Sequence, residues 1–388
     1  MRPSLKRQLD WHVGVPLLNV LDLLGMMAGA LPRRRRRGGP VRNVLVLKFQ
    51  GMGSLAIAKP ALQELRRQHP DAHIAFWGVA STCALARQMP EFDDIICLDD
   101  RSFLRATVSA LGCLLRIWRA GFDWVFDLEV YSKLSSVLAT LTFARNRAGF
   151  AVALVRQRRH IHTHLVIFNT YEHLGLAYLK LFGQVFDRFD PDALSRPVGW
   201  RFALEPLPEL DRPYVVLNPH VGELCPERRW PTERWQELAG RLATARPDLR
   251  VVLLGWSADE RAANAGWPAM AHVVDLAGRL PVPELVRCLA HAALVVSSDS
   301  GPLQLALLTG APVLGLFGPT RPQTYFPPHR ADAASLFLAL YCSPCFHHWD
   351  VPPCAGDNQC VSAISVDDVW AWCRHLLGDG QAPPPPSL

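Results

Sequence analysis

Residues 294–320 read LVVSSDSGPLQLALLTGAPVLGLFGPT. The apolar run Leu294-Val295-Val296 breaks into the polar turn Ser297-Ser298-Asp299-Ser300-Gly301-Pro302; a helix is expected over 303–309 and a second buried strand over 313–317. Strand, turn, helix and strand in so short a span make a βαβ unit, which requires a parallel sheet. The turns at 297–302 and 318–320 follow strand C-termini, where open α/β sheets bind their ligands. Asp299, two hydroxyls and free amide groups at a helix start suit a phosphate or a sugar. The same residues also read as an ordinary capped helix start with Pro302 near its first turn.

Working outward, the same alternation fills the chain. Residues 43–48 (NVLVLK) end in Phe49-Gln50-Gly51-Met52-Gly53-Ser54, followed by a helix through Leu65 that contains or abuts Pro60. Strand patterns recur at 73–78, 93–98 and 124–129, and the spacing predicts parallel units. Residues 156–212 are less regular, and Pro191, Pro197, Pro206, Pro208 and Pro213 mark a linker. The pattern then restarts at 214–217, with a helix from Thr232 through Leu242 and TERW as its capping signal. Later strands are expected at 251–254, 272–276, 294–296 and 313–317. Two doubly wound halves, 41–205 and 206–378, would bind ligands in a cleft faced by both sets of strand ends. Gly51-Met52-Gly53 lacks the G-x-G-x-x-G spacing and its following acidic residue, which argues against a nicotinamide enzyme. Walker A spacing is absent too.

A chain of 388 residues fits two or three domains. The net charge is +6, but five of those charges are the arginines at 33–37, so the body is near neutral and a nucleic-acid footprint is excluded. Before that run, residues 13–31 (VGVPLLNVLDLLGMMAGAL) are apolar. A membrane span needs about 20 apolar residues, and Asp22 near the centre would cost roughly 2.5–3.5 kcal/mol on insertion. His12, Asn19 and Asp22 share one helical face, so segment 1–40 reads as an amphipathic helix lying in a membrane interface, its arginines on anionic headgroups. A core-packed helix and a cleaved signal peptide are the alternatives; the arginines directly after the helix oppose export. Residues 379–388 form a Pro-rich tail.

The ordered series VLVLKFQGMGSLAIAKPALQELRRQHPDAHI, VVLNPH…RRWPTERWQELA and LAGRLPVPELVRCLAHAALVVSSDSGPLQLALLTGAPVLGLFGPT resembles glycosyltransferase family 9, the ADP-heptose:lipopolysaccharide heptosyltransferases, over about 41–377. The resemblance implies a GT-B fold of two Rossmann-like domains facing a cleft, the C-terminal one holding a nucleotide-sugar. It implies an inverting transferase of the cytoplasmic side of the inner membrane, without a catalytic metal, in which a carboxylate takes the acceptor's proton. It moves a sugar, heptose from ADP-heptose, to a lipopolysaccharide core or other lipid-linked envelope glycan. Carried over by motif, Arg228 matches the diphosphate-contacting lysine, with Arg229 the neighbouring candidate. Asn218, Asp299, Ser300, Gly301, Gln304, Gly318 and Thr320 fall at donor-side positions, and Gly53 and Ser54 in the first loop.

Two positions depart from the family pattern. Ser54 stands where the presumed base is an aspartate, and Gln304 where the family has a histidine. A serine hydroxyl is a poor proton acceptor near neutral pH. Glu129, at the end of Trp124-Val125-Phe126-Asp127-Leu128, is the substitute base; alternatively it is bonded to loop amides or to Arg145 or Arg147. A family member that binds nucleotide-sugar or glycolipid without turnover is the alternative function.

Six of the ten cysteines, Cys83, Cys97, Cys113, Cys225, Cys288 and Cys373, stand singly and read as small buried hydrophobes. Cys342, Cys345, Cys354 and Cys360 cluster in one short loop, with His347 and His348 inside it. Four thiolates at this spacing suit a structural zinc or iron, while reduced thiols or one disulfide are the plain alternative. His160, His162 and His164 alternate and would share one face of an extended segment. Together with Arg156, Arg158 and Arg159 they would form a basic surface for an anionic acceptor; a metal site lacking a fourth ligand and a plain solvated loop are the alternatives.

Overall fold

Two six-stranded, wholly parallel sheets organise the chain in the computed structural model, which describes residues 8–29, 41–222, 225–327, 330–346, 354 and 356–383. The chain divides into two units, Met1–Arg201 and Phe202–Leu388. In the first unit the strands are β1 (Asn43–Lys48), β2 (His73–Val79), β3 (Asp94–Leu98), β4 (Trp124–Asp127), β5 (Asn146–Ala151) and β6 (His164–Ile167). A π-helical turn, Asp10–Gly14, leads into helix α1 (Val15–Gly29). Helices α2 (Met52–Gln68), α3 (Ala80–Ala86), α4 (Phe103–Ala120), α5 (Lys133–Leu141), α6 (Arg158–Ile161) and α7 (Leu174–Phe182) follow.

In the second unit the strands are β7 (Tyr214–Asn218), β8 (Arg250–Leu253), β9 (Val273–Asp275), β10 (Leu294–Ser298), β11 (Val313–Phe317) and β12 (Ala333–Phe337). Its helices are α8 (Thr232–Ala245), α9 (Ala258–Ala265), α10 (Val282–Ala290), α11 (Gly301–Thr309), α12 (Pro322–Tyr325), α13 (Gln359–Ser362) and α14 (Val366–Leu376).

The strand orders are β3-β2-β1-β4-β5-β6 and β12-β11-β10-β7-β8-β9. Both are the doubly wound order, reversing between β1 and β4 in one unit and between β7 and β10 in the other. Val44–Leu47 and Val215–Leu217 are fully buried because helices cover both sheet faces, which is why these strands read as unbroken apolar runs. Strands β5, β6 and β12 lie outside the apolar runs that the sequence offers: β5 carries Asn146 and Arg147, and β6 has four residues. Part of the expected linker, 156–212, is thus α6, β6 and α7. Helix α8 does start at Thr232, but Pro231 precedes it and no side chain caps it, so TERW is not a cap.

Within segment 1–40, residues 10–29 pack on the first unit. Among the described residues no helix is long and apolar enough to cross a membrane. The polar side of α1 faces the domain: Asn19 accepts from Gln157 at 2.8 Å, and Asp22 meets His160 Nδ1 at 2.6 Å. Asp10 Oδ1 accepts from the Ser132 hydroxyl and from the amides of Lys133 and Leu134, closing the start of α5. Leu18 packs with Val137, Val155 and Ile161, whereas Trp11, Leu17, Val20 and Leu24 are exposed. The arginines at 33–37 lie outside the described residues.

Three further expectations are overturned. Cys83 and Cys97 do not stand singly: they form a disulfide between α3 and β3. The histidines at 160, 162 and 164 do not share a face, because α6 ends between them. Two residues leave the expected basic surface: Arg158 is fully buried and His162 nearly so, whereas Arg156 and Arg159 are exposed. Arg158 donates to the carbonyls of Glu129, Val130, Ser132 and Phe150 and to the Ser136 hydroxyl.

His173 caps α7, its Nδ1 accepting from the Gly175 amide at 3.2 Å, which requires an unprotonated nitrogen. Burial lowers its pKa from the ordinary 6.5 to about 4. Below 6.5 the unfolded chain therefore binds more protons than the folded one, so stability is present above that pH and is lost as pH falls towards 4. Denaturant titrations across this interval are expected to show that loss, and His173→Asn, which keeps a cap without titrating, to flatten it.

Candidate functional site

Each unit collects polar side chains at the reversal of its strand order. In the first unit, Lys48 closes β1 and Glu129 lies two residues past β4, so neighbouring parallel strands bring them together. Lys48 Nζ donates to Glu129 Oε2 at 2.9 Å, both groups being buried. Glu129 Oε1 accepts from the amides of Phe49 and Gln50 at 2.8 and 2.7 Å. Glu129 is thus bonded to loop amides, and its cationic partner is Lys48. Arg147 instead donates to the carbonyls of Ala144 and Ile161.

Beneath it, the buried carboxylate of Asp127 accepts from the Ser135 hydroxyl and the Glu129 amide. Burial opposes its ionisation, but His162 and the Arg158 charge outweigh this and hold its pKa below the usual range. Burial in turn lowers the pKa of His162, which stays neutral beside them.

Gly51 has φ of 77°, and a Cβ there would lie 2.7 Å from Ser54 Oγ, so the turn into α2 needs glycine. Gly53 and Ser54 occupy the first turn of α2, and Ser54 donates to the Gly51 carbonyl at 2.8 Å. Burial beside the Glu129 charge pushes the Tyr178 hydroxyl up, so it stays protonated. Lys48, Asp127 and Tyr178 were not picked out from the sequence as site residues, and Arg158 was read only as part of a surface. The one available signal was a charged residue ending a buried strand, as in the LK of NVLVLK.

In the second unit, Asn218 closes β7 and the turn 299–300 follows β10. Asn218 Nδ2 donates to Ser297 Oγ at 2.9 Å and Ser300 Oγ at 2.8 Å. Drawn towards Asn218, the Ser300 hydroxyl does not cap α11, so no side chain closes that helix start. The capped-helix alternative fails there, although Pro302 does sit in the first turn. Asp299 Oδ2 accepts from Thr320 Oγ1 at 2.7 Å and faces Arg228 Nη1 at 3.4 Å. The Arg228 guanidinium also reaches the carbonyls of Cys225 and Val221 and lies over the Phe346 ring. Gln304 is buried in the first half of α11, and its Nε2 meets no acceptor among the described residues. Asn218, Ser297 and Ser300 form one hydrogen-bonded group and Arg228, Asp299 and Thr320 another, adjoining at the Asp299–Ser300 turn, with Gly301 and Gln304 on the helix that follows. An uncapped helix start with an adjacent guanidinium binds anions.

A family model described as glycosyltransferase family 9 (heptosyltransferase) matches residues 115–355, well over half of the chain. The chain belongs to that family. Lipooligosaccharide heptosyltransferase 2 of Haemophilus influenzae is 33% identical to this family 9 protein over 317 residues, covering 77% of this chain and 89% of that one. The E. coli ADP-heptose lps heptosyltransferase II shares the fold, with a TM-score of 0.67 at 20% identity over 86% of this chain and 98% of that one. The paired doubly wound units are those of the GT-B heptosyltransferase structures. TibC of enterotoxigenic E. coli, described as an iron-containing dodecameric glycosyltransferase, is also similar in fold, with a TM-score of 0.54 at 15% identity over 86% of this chain and 76% of that one.

The metal expected at Cys342, Cys345, Cys354 and Cys360 does not fit. Among the described residues no three His, Cys, Asp or Glu side chains are grouped to hold an ion. All four sulfurs are free. Burial, then the charges of neighbouring cluster thiols, raises the pKa of Cys345 and carries that of Cys360 to about 12. His347 and His348 lie outside the described residues. The cysteine segment instead buttresses the 318–320 loop: Ser343 Oγ donates to the Gly318 carbonyl, and the Phe346 amide to that of Pro319.

A Cβ on Gly318 would lie 2.0 Å from Val361 Cγ2 and 2.9 Å from Cys360 Sγ. Gly318→Ala is therefore expected to cost about 1–3 kcal/mol by overpacking, seen as a lowered denaturation midpoint with an unchanged slope.

Proposed function

We propose that this family 9 protein is an inverting glycosyltransferase that moves heptose from ADP-heptose onto a lipopolysaccharide core or another lipid-linked envelope glycan. The observation that carries the reading is the Arg228–Asp299–Thr320 network beside the uncapped start of α11. The donor's diphosphate lies against those first-turn amides, and Arg228 offsets the charge that develops as the nucleotide leaves. Asp299, oriented by Thr320, and the Oδ1 of Asn218, whose Nδ2 is held by Ser297 and Ser300, accept from donor hydroxyls. On the acceptor side Glu129 takes the proton of the attacking hydroxyl, a task that the Ser54 hydroxyl cannot perform. The protein works at the cytoplasmic face of the inner membrane, with the outward apolar residues of α1 and the arginines at 33–37 on anionic lipid.

A second reading is supported by the three hydrogen bonds that already engage Glu129. In it Glu129 only clamps the first loop, and the protein binds nucleotide-sugar or glycolipid without transfer.

Titration with ADP-heptose and a transfer assay separate the two. Arg228→Ala should weaken donor binding and lower kcat/KM by about 10²–10³. Glu129→Gln keeps the amide contacts but removes the charge opposite buried Lys48; as a base variant it should lower kcat by about 10²–10⁴ with donor affinity unchanged, alongside a lowered melting temperature. Unchanged turnover would remove Glu129 as the base. Donor binding without transfer to any envelope acceptor would support the second reading.

A further inference from the structure

Helix α4 is apolar on two opposite sides. Its inner side, Cys113, Leu114 and Ile117, is packed with Leu45, Leu47, Trp77 and Val125 of the sheet. Its outer side carries Leu104, Val108, Leu111, Leu115 and Trp118, spaced 4, 3, 4 and 3, all exposed, with Leu104 at 72%. Phe143, also 72% exposed, stacks on Trp118 at 5.6 Å and extends the stripe. A stripe from 104 to 118 is about 20 Å long at the helical rise. A soluble helix apolar all round has an apolar neighbour on each side, and an exposed patch of this extent marks an interaction surface.

The charge pattern selects the neighbour. Within Phe103–Ala120 there are three arginines, Arg105, Arg116 and Arg119, and no carboxylate. Arg116 is paired with Asp94 at 2.6 Å, Arg105 leans on Asp99 at 3.8 Å, and Arg119 and Arg145 are exposed near the Trp118–Phe143 end. A leucine and aromatic stripe edged by arginines is the composition of a helix that lies on anionic lipid. Two copies of α4 face to face would instead bring arginines against arginines with no carboxylate on either helix.

The location agrees. Helices α4 and α5 follow β3 and β4, and right-handed crossovers put both on one side of the sheet. Trp118 Nε1 donates to the Leu141 carbonyl at the end of α5. Leu141 packs on the core under α4 and also on the Leu18 cluster under α1. Helix α5 therefore joins the two helices whose outer faces are apolar.

We propose that the outer face of α4, with Phe143, is a second membrane contact that seats the first unit on an anionic bilayer alongside α1. The proposal extends the membrane association read from α1, and it stands or falls separately. The test is flotation of the full chain with phosphatidylglycerol/phosphatidylethanolamine vesicles and with pure phosphatidylcholine vesicles. It compares the natural protein with Leu111→Glu/Leu115→Glu, with Leu111→Phe/Leu115→Phe, and with Val20→Glu/Leu24→Glu on α1.

The natural protein should partition onto the anionic vesicles. The α4 glutamate variant should lose about tenfold or more of that partition, as expected when two leucines are withdrawn from an apolar phase. The phenylalanine variant should keep it, and all variants should keep the circular-dichroism melt. If the α1 variant loses binding while the α4 glutamate variant binds like the natural protein, the α4 contact is refuted and membrane association stands. If the natural protein does not float, both fail. A natural dimer by light scattering that the α4 glutamates convert to monomer, with flotation unchanged, would also overturn the proposal in favour of a second copy as the occupant.

Discussion

Everything chemical in this chain depends on one constraint of the parallel sheet. Where strand order reverses, the crossover connections leave to opposite faces, and the carboxyl ends of the two central strands are left without a covering helix. The chain does this twice, at β1/β4 and at β7/β10. Lys48 and Glu129 meet at the first reversal, and Asn218 and Asp299 lie at the second. These residues are far apart in sequence, and only strand register makes them neighbours.

The two reversals are built differently. In the second unit the side chains are drawn towards one another in a way that leaves the backbone open: Ser300 turns to Asn218, and the amides at the start of α11 keep no side-chain cap. In the first unit, charge is stored beneath the site. Arg158 and Asp127 are wholly buried, and the guanidinium is satisfied by four carbonyls and a hydroxyl. Such burial is tolerated only when the group is fully hydrogen-bonded. Its effect is to fix the segment 129–132, from which Glu129 reaches the first loop.

The N-terminal helix shows how amphipathicity can be read in the wrong direction. Asn19 and Asp22 form a polar face, and polarity alone suggests water on that side. The domain offers Gln157 and His160 to that face, so Asn19 and Asp22 bond to it, Leu18 is buried beside them, and Leu17, Leu23 and Leu24 are exposed. Periodicity reports that a helix has two faces; it does not report which partner each one meets.

The sequence by itself determined the doubly wound class, the family and the strand–turn–helix of 294–320, because buried parallel strands demand continuous apolar runs and because that stretch keeps its elements contiguous. Tertiary structure alone decided that Glu129 is engaged by Lys48 and two amides, and that Arg158 and His162 are core rather than surface. It likewise decided that Cys83 pairs with Cys97, and that the segment carrying Cys342 and Cys345 braces the 318–320 loop through Ser343 and Phe346. Each of these is a long-range contact between residue types that serve equally well on a surface or in a core. Their partners are set by packing distance, which local composition does not encode.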